Sequence, residues 1–127
     1  MSDDVYVIGI DMIRFGRYPD RTVPNLAAEA ALLALDDCGL SIDRMQALYC
    51  GNLGQASGMV GQRILQEIGQ TGVPVVNVSN ACATGATGAT CATYATGATG
   101  ISRATGTTRA TKATKATESS LTCTAVD

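Results

Sequence analysis

The 127-residue sequence contains no histidine, so neither a Cys-His nor a Ser-His catalytic pair can be completed within it. It also lacks any Cys-x-x-Cys pair. Its five cysteines (Cys38, Cys50, Cys82, Cys91 and Cys123) are odd in number and widely spaced, which suits reduced thiols and speaks against a disulfide framework or a metal site. The formal charge is −2 and the lysines and arginines form no basic stripe, so a nucleic-acid partner is not expected. No run of eighteen apolar residues and no secretory signal pattern occurs, so no membrane span is expected and a cytoplasmic location is. At this length one modest core is the most that can form.

Large apolar side chains are themselves nearly absent between Ala83 and Thr117. Residues Cys82 to Thr117 divide into twelve triplets, with Thr or Ser in every third slot and Ala in ten of the twelve second slots. Such a repeat advances about 300° around an α-helix per triplet, so neither Thr nor Ala stays on one face. Little apolar area is available to offset the entropy of ordering, which makes disorder the expectation. An extended threefold helix, with its threonines along one edge, is the structured alternative. The basic residues of the repeat cluster at Arg103, Arg109, Lys112 and Lys115.

Before the break the chain carries ordinary element signals. "VYVIGID" (Val5 to Asp11) reads as a buried strand. Thr22 is placed to cap a helix with Pro24 in its first turn, Leu26, Ala30, Leu33 and Ala34 on one face, and Gly39 at its end. A capped turn at "SIDR" leads to a second strand, Ala47 to Gly51. "GMVGQRILQEIGQTG" reads as a helix of about ten residues between glycines, and "VPVVNV" (Val73 to Val78) as a third buried strand. Strand, helix, strand, helix, strand predicts an α/β fold with parallel pairing.

The third strand stops at "SNACATG", where small residues flank Cys82. That pattern suits a tight turn from which a helix starts, leaving Cys82 near its N-terminus, where free amides and the helix dipole favour the reactive thiolate. The same amides suit the oxyanion formed when a thioester is attacked. The plainer reading is a small buried cysteine.

With "VYVIGIDMIRFGRYPDRTVPNLAAEAALLALDDCGL", "LYCGNLGQ" and "VPVVNVSNACATGAT" in this order, residues 5–87 resemble the N-terminal region of a thiolase. The similarity is greatest to sterol carrier protein 2-type thiolases and lipid-transfer-type acetyl-CoA acetyltransferases. The resemblance implies an α/β layered fold and a dimer or tetramer, or pairing with a partner subunit. It implies no bound cofactor, coenzyme A entering as the acyl-CoA substrate. It casts Cys82 as the acyl-accepting nucleophile and Gly85 as the glycine of a Cys-x-x-Gly turn, where backbone approaches the acyl group. Asn80 matches an asparagine of this branch, with a turn-stabilising role.

The family's catalytic histidines and second cysteine have no counterparts here; Cys91 and Cys123 stand in the wrong context and are expected to be incidental. The expected division is therefore a thiolase-like region, 1–87, and a low-complexity Ala/Thr segment, 88–127. That segment is either a disordered tail or a stretch whose residues do not belong to the fold. A long helix running from the Cys82 turn, with a further strand beyond it, would mark the backbone as thiolase-like despite its lettering. The expected activity is acyl transfer from acyl-CoA, incomplete in this chain. A non-catalytic lipid- or partner-binding subunit and a Thr-rich binding module are the alternatives.

Overall fold

Thr22 opens the first regular element of the computed structural model, which describes residues 7–99 and 119–124. Its side chain accepts the N–H of Asn25 at 3.3 Å, Pro24 sits in the first turn, and Gly39 closes the helix in the left-handed conformation at φ 68°. This helix, α1, spans Val23–Cys38. A short 3-10 turn at Ile42–Arg44 leads into β1 (Met45–Gly51). Then come α2 (Val60–Ile68), β2 (Val75–Val78), α3 (Thr84–Thr99) and β3 (Ser119–Thr124).

The three strands form one parallel sheet in the order β2-β1-β3. Side chains alternate along a strand, and β1 uses both of its faces. Leu48 and Cys50 point into a cluster with Ala27, Ala28, Ala31 and Leu35 of α1 and Val60, Ile64 and Leu65 of α2. An irregularity between Met45 and Ala47 brings Met45 to the same side. Tyr49 faces the other way, onto Ala92 of α3, with Ala47 and Cys91 beside them. The result is an α/β/α arrangement: α1 and α2 cover one face of the sheet and α3 the other. Leu48 and Ile64 are wholly buried, and each contributes on the order of 1.5–3 kcal/mol by leaving water.

Four expectations need correction. Residues 7–11 form no strand, and residues 1–6 lie outside the described residues. The edge of β1 away from β2 is taken by β3, and the N-terminal segment lies against α1 instead. A Cβ on Gly9 would stand 2.4 Å from the Ala34 carbonyl oxygen, and Ile10 donates its N–H to Asp37 at 3.0 Å.

The buried face of α1 is Pro24, Ala27, Ala28, Ala31 and Leu35, while Leu32 and Leu33 are exposed. The small residues face inward because α1 must approach α2 and the sheet closely. Nor is β2 buried: among the described residues it is an edge strand, with Val76 exposed.

The fourth correction concerns the repeat. Residues 84–99 of it are helical where disorder is expected, in α3. Alanine has the highest helix propensity of any residue, and the threonine hydroxyls are accommodated by bonding back along the helix. Thr87 donates to the Ala83 carbonyl at 3.1 Å and Thr90 to that of Ala86 at 2.8 Å. Small side chains also let α3 lie close on β1, with Gly88 and Ala92 buried. A helix does not line threonines along one edge, so the extended threefold form is excluded for residues 84–99. The rest of the repeat, 100–118, lies outside the described residues.

Candidate active site

In an open α/β sheet, sites form beyond the carboxyl ends of parallel strands. Here β1 and β2 end together, and the residues that follow them make the candidate site. Beyond Val78 the chain passes through Ser79 and turns sharply at Asn80, Ala81 and Cys82, with a bridge pairing Asn80 to Cys82. Ala81 holds φ 45°, a left-handed conformation that a residue with a Cβ adopts at a cost of roughly 1–2 kcal/mol. Two turn bonds close the corner: Ala83 N–H to the Asn80 carbonyl at 2.9 Å, and Thr84 N–H to that of Ala81 at 3.2 Å. Helix α3 starts at Thr84, two residues after Cys82.

Cys82 is exposed at this corner, which excludes the plainer reading of a small buried cysteine. Gly85 lies in the first turn of α3 and is half-buried. Asn80 is exposed and is held from the helix. Its backbone N–H donates to Thr84 Oγ1 at 2.5 Å and its side-chain Nδ2 to Thr87 Oγ1 at 3.0 Å. Thr84 is buried at 5% exposure, its methyl lodged where Gly51 of β1 has no side chain. A Cβ on Gly51 would meet Thr84 Cγ2 at 2.5 Å.

Next to the turn is a small cleft of about 50 Å³ lined by Cys50, Asn52, Val60, Asn77, Val78 and Ser79. Asn52 is almost fully buried and accepts the Gln55 N–H at 2.7 Å. Burial pushes the Cys50 thiol up to about 11, so at neutral pH this cysteine is protonated and unreactive. Cys38 donates to the Leu35 carbonyl at 3.2 Å on α1. Cys91 and Ala92 of α3 pack with Tyr49 of β1, and the Tyr49 hydroxyl is raised by burial and then by the neighbouring Cys91. Of the cysteines whose side chains are described, Cys82 alone stands exposed in the turn. Among the described residues no group of three or more acidic or Cys side chains is gathered to hold a metal ion, and no helix is long and apolar enough to cross a membrane.

The structure thus brings Asn80, Cys82 and Gly85 to one corner. Sequence reasoning missed Thr84 and Thr87, hidden inside a repeat that made every threonine look alike. It also missed Asn77. That asparagine had a signal of its own, as the one polar residue within "VPVVNV".

Comparison with known proteins gives partial matches. An 82-residue segment is 40% identical to non-specific lipid-transfer protein-like 2 of Caenorhabditis elegans, covering 62% of this chain and 20% of that protein. An 86-residue segment is 37% identical to sterol carrier protein 2 of Gallus gallus, covering 65% of this chain and 16% of that one. Another is 31% identical to an acetyl-CoA acetyltransferase of Methanothermobacter thermautotrophicus, covering 63% and 22%. The chain therefore spans about a fifth of the length of these relatives, or less. No family model matches. Among solved structures, 3-oxoacyl-[acyl-carrier-protein] synthase III from Aquifex aeolicus superposes with a TM-score of 0.57 at 19% identity, over 64% of this chain and 27% of that chain. Over about 62–65% of its length the chain is a partial homologue of the sterol carrier protein 2 and acetyl-CoA acetyltransferase proteins, and its fold is thiolase-like.

Proposed function

We propose that this chain carries the nucleophile-bearing part of a thiolase-type acyltransferase that acts on acyl-CoA thioesters. The observation that carries the reading is the exposure of Cys82 in a strained corner between a parallel strand and a helix. The Cys82 thiolate attacks the thioester carbonyl, a new bond forms between Sγ and the acyl carbon, and the bond from that carbon to the coenzyme A sulfur breaks. The departing thiolate takes up the proton that the Cys82 thiol gave up, so acyl-cysteine and free coenzyme A result. Free amides at the start of α3 suit the transient oxyanion, and Gly85 lets backbone come near the acyl group. Coenzyme A is substrate here, and no bound cofactor is required. Transfer of the acyl group to a second acyl-CoA needs an acid-base group, and this chain has no histidine to offer. Such groups come from residues beyond this sequence, from further chain or from a second subunit in a dimer or tetramer. A cytoplasmic setting suits the free thiols of Cys38, Cys50, Cys82 and Cys91.

Incubation with acetyl-CoA followed by intact mass and peptide analysis tests this. One acetyl group on Cys82, absent from Cys82→Ala, is the expected result. A second reading, a non-catalytic subunit that binds lipid or acyl-CoA, draws on the lipid-transfer and sterol carrier names of the relatives. Saturable binding of acyl-CoA with no acylation of Cys82 would replace the first reading with the second.

A further inference from the structure

Resting on the reading of Cys82 as nucleophile, we propose that Thr84 and Thr87 are positioning residues whose hydroxyls clamp Asn80 and thereby hold the turn that presents Cys82. The corner at residues 80–82 has one conformation that its own chemistry disfavours, the left-handed Ala81. Strain of this kind persists only where the surroundings over-determine it. The bonds within the turn, from Ala83 and Thr84 back to Asn80 and Ala81, use the carbonyls on its near side. The Asn80 N–H and carboxamide are engaged from the helix instead. Thr84 Oγ1 accepts from the first and Thr87 Oγ1 from the second, and the Thr87 hydroxyl in turn donates a hydrogen bond to the Ala83 carbonyl.

Thr84 is itself immobilised. It is 5% exposed, and its methyl fills the space above Gly51, so the hydroxyl has little freedom to turn away from Asn80. The two groups on its β-carbon therefore divide the work. The methyl anchors the first turn of α3 to β1, and the hydroxyl fixes the residue two before Cys82. The triplet spacing of threonine supplies both hydroxyls at once, because residues three apart lie on neighbouring turns of one helix face. The repeat thus has a local use at its first two units that its monotony conceals.

This division separates positioning from mere stability. In the 127-residue chain, Thr84→Val keeps the branched shape and removes the hydroxyl, while Thr84→Ser keeps the hydroxyl and removes the methyl. Acylation of Cys82 by acetyl-CoA should fall about tenfold in Thr84→Val, the rate equivalent of one lost hydrogen bond, with the thermal midpoint close to that of the parent. In Thr84→Ser the midpoint should drop while acylation stays near the parent rate. Thr87→Val should slow acylation less, and Thr87→Ser should restore it.

Hydrogen exchange at the Asn80 amide gives a readout independent of chemistry: protection should be lost in Thr84→Val and kept in Thr84→Ser. Parent-like acylation and parent-like Asn80 protection in Thr84→Val would overturn the clamp. If the parent chain is never acylated at Cys82, the nucleophile reading fails, and the exchange data alone then decide whether Thr84 holds Asn80.

Discussion

Asn77, in the middle of β2, caps α2 from the sheet face on which that helix lies: its Oδ1 accepts the N–H of Gly61 at 2.8 Å and its Nδ2 donates to Gln62 Oε1 at 2.7 Å. The residue at the cap position of α2, Met59, makes no side-chain cap bond and is left-handed at φ 47°. Replacing Asn77 by Leu should therefore cost about 1–2 kcal/mol, the usual penalty for a lost cap with an unpaired buried donor. Asp at this position retains the acceptor and should recover most of the loss. Urea titration of the two variants checks this, and equal midpoints for Leu and Asn would refute it.

Gly51 lies against Thr84, and a side chain there has no room. A methyl at residue 51 would be 2.5 Å from Thr84 Cγ2 and 2.9 Å from the Thr84 carbonyl oxygen, which is backbone and cannot swing aside. Gly51→Ala should lower stability by roughly 1–3 kcal/mol and slow acylation of Cys82, since α3 and the turn must move together. An unchanged thermal midpoint would show that the contact is looser than described.

The buried thiol of Cys50 makes stability depend on alkaline pH. Its ordinary value of 9.0 is raised to about 11 by burial, so the folded state favours the protonated form more than the unfolded state does. The stability this contributes is fully present below pH 9 and is lost as the pH rises to about 11, by on the order of 2–3 kcal/mol. Unfolding midpoints should be flat up to pH 9 and then fall. Cys50→Ala should flatten most of that slope, leaving the smaller part due to Tyr49, which burial and then Cys91 also raise. A slope identical in Cys50→Ala would assign the effect elsewhere.

Alkylation should distinguish the cysteines in the native state. Cys82 is exposed, Cys38 and Cys91 are half-buried, and Cys50 is buried with a raised thiol. Iodoacetamide at neutral pH should modify Cys82 first and Cys50 last, because rate follows both access and thiolate fraction. Peptide mapping after short exposure reads the order directly, and uniform labelling would contradict it.

The chain by itself should stop after one acylation. General acid-base catalysis contributes typically about 10²- to 10⁴-fold, and no histidine is available to provide it. Steady release of coenzyme A at a rate typical of a complete enzyme would show that the acid-base groups had been misplaced.

Much of this fold was legible because it is specified locally. Thr22, Pro24 and Gly39 mark the ends of α1 through caps that act within a few residues, and the structure puts the helix between them. The apolar runs around Leu48 and Val75 are strand-length, and the observed strands fall there. The turn at Asn80 and Cys82 was visible as small residues after a buried-type run.

What the sequence could not determine depended on partners distant along the chain. Which face of α1 turns inward was decided by α2 and β1, which accept alanines at close range and leave Leu32 and Leu33 outside. Val7 and Ile8 read as strand, yet the neighbouring place on β1 went to β3, more than a hundred residues later in the chain. The helix of the repeat was illegible for the clearest reason. Its residues carry no apolar stripe, so the pattern that normally announces a packed helix is missing. Alanine propensity permits that helix, but the glycine at 51 that receives the methyl of Thr84 and the ring of Tyr49 that packs on Ala92 hold it in place, contacts that exist only once the sheet has formed.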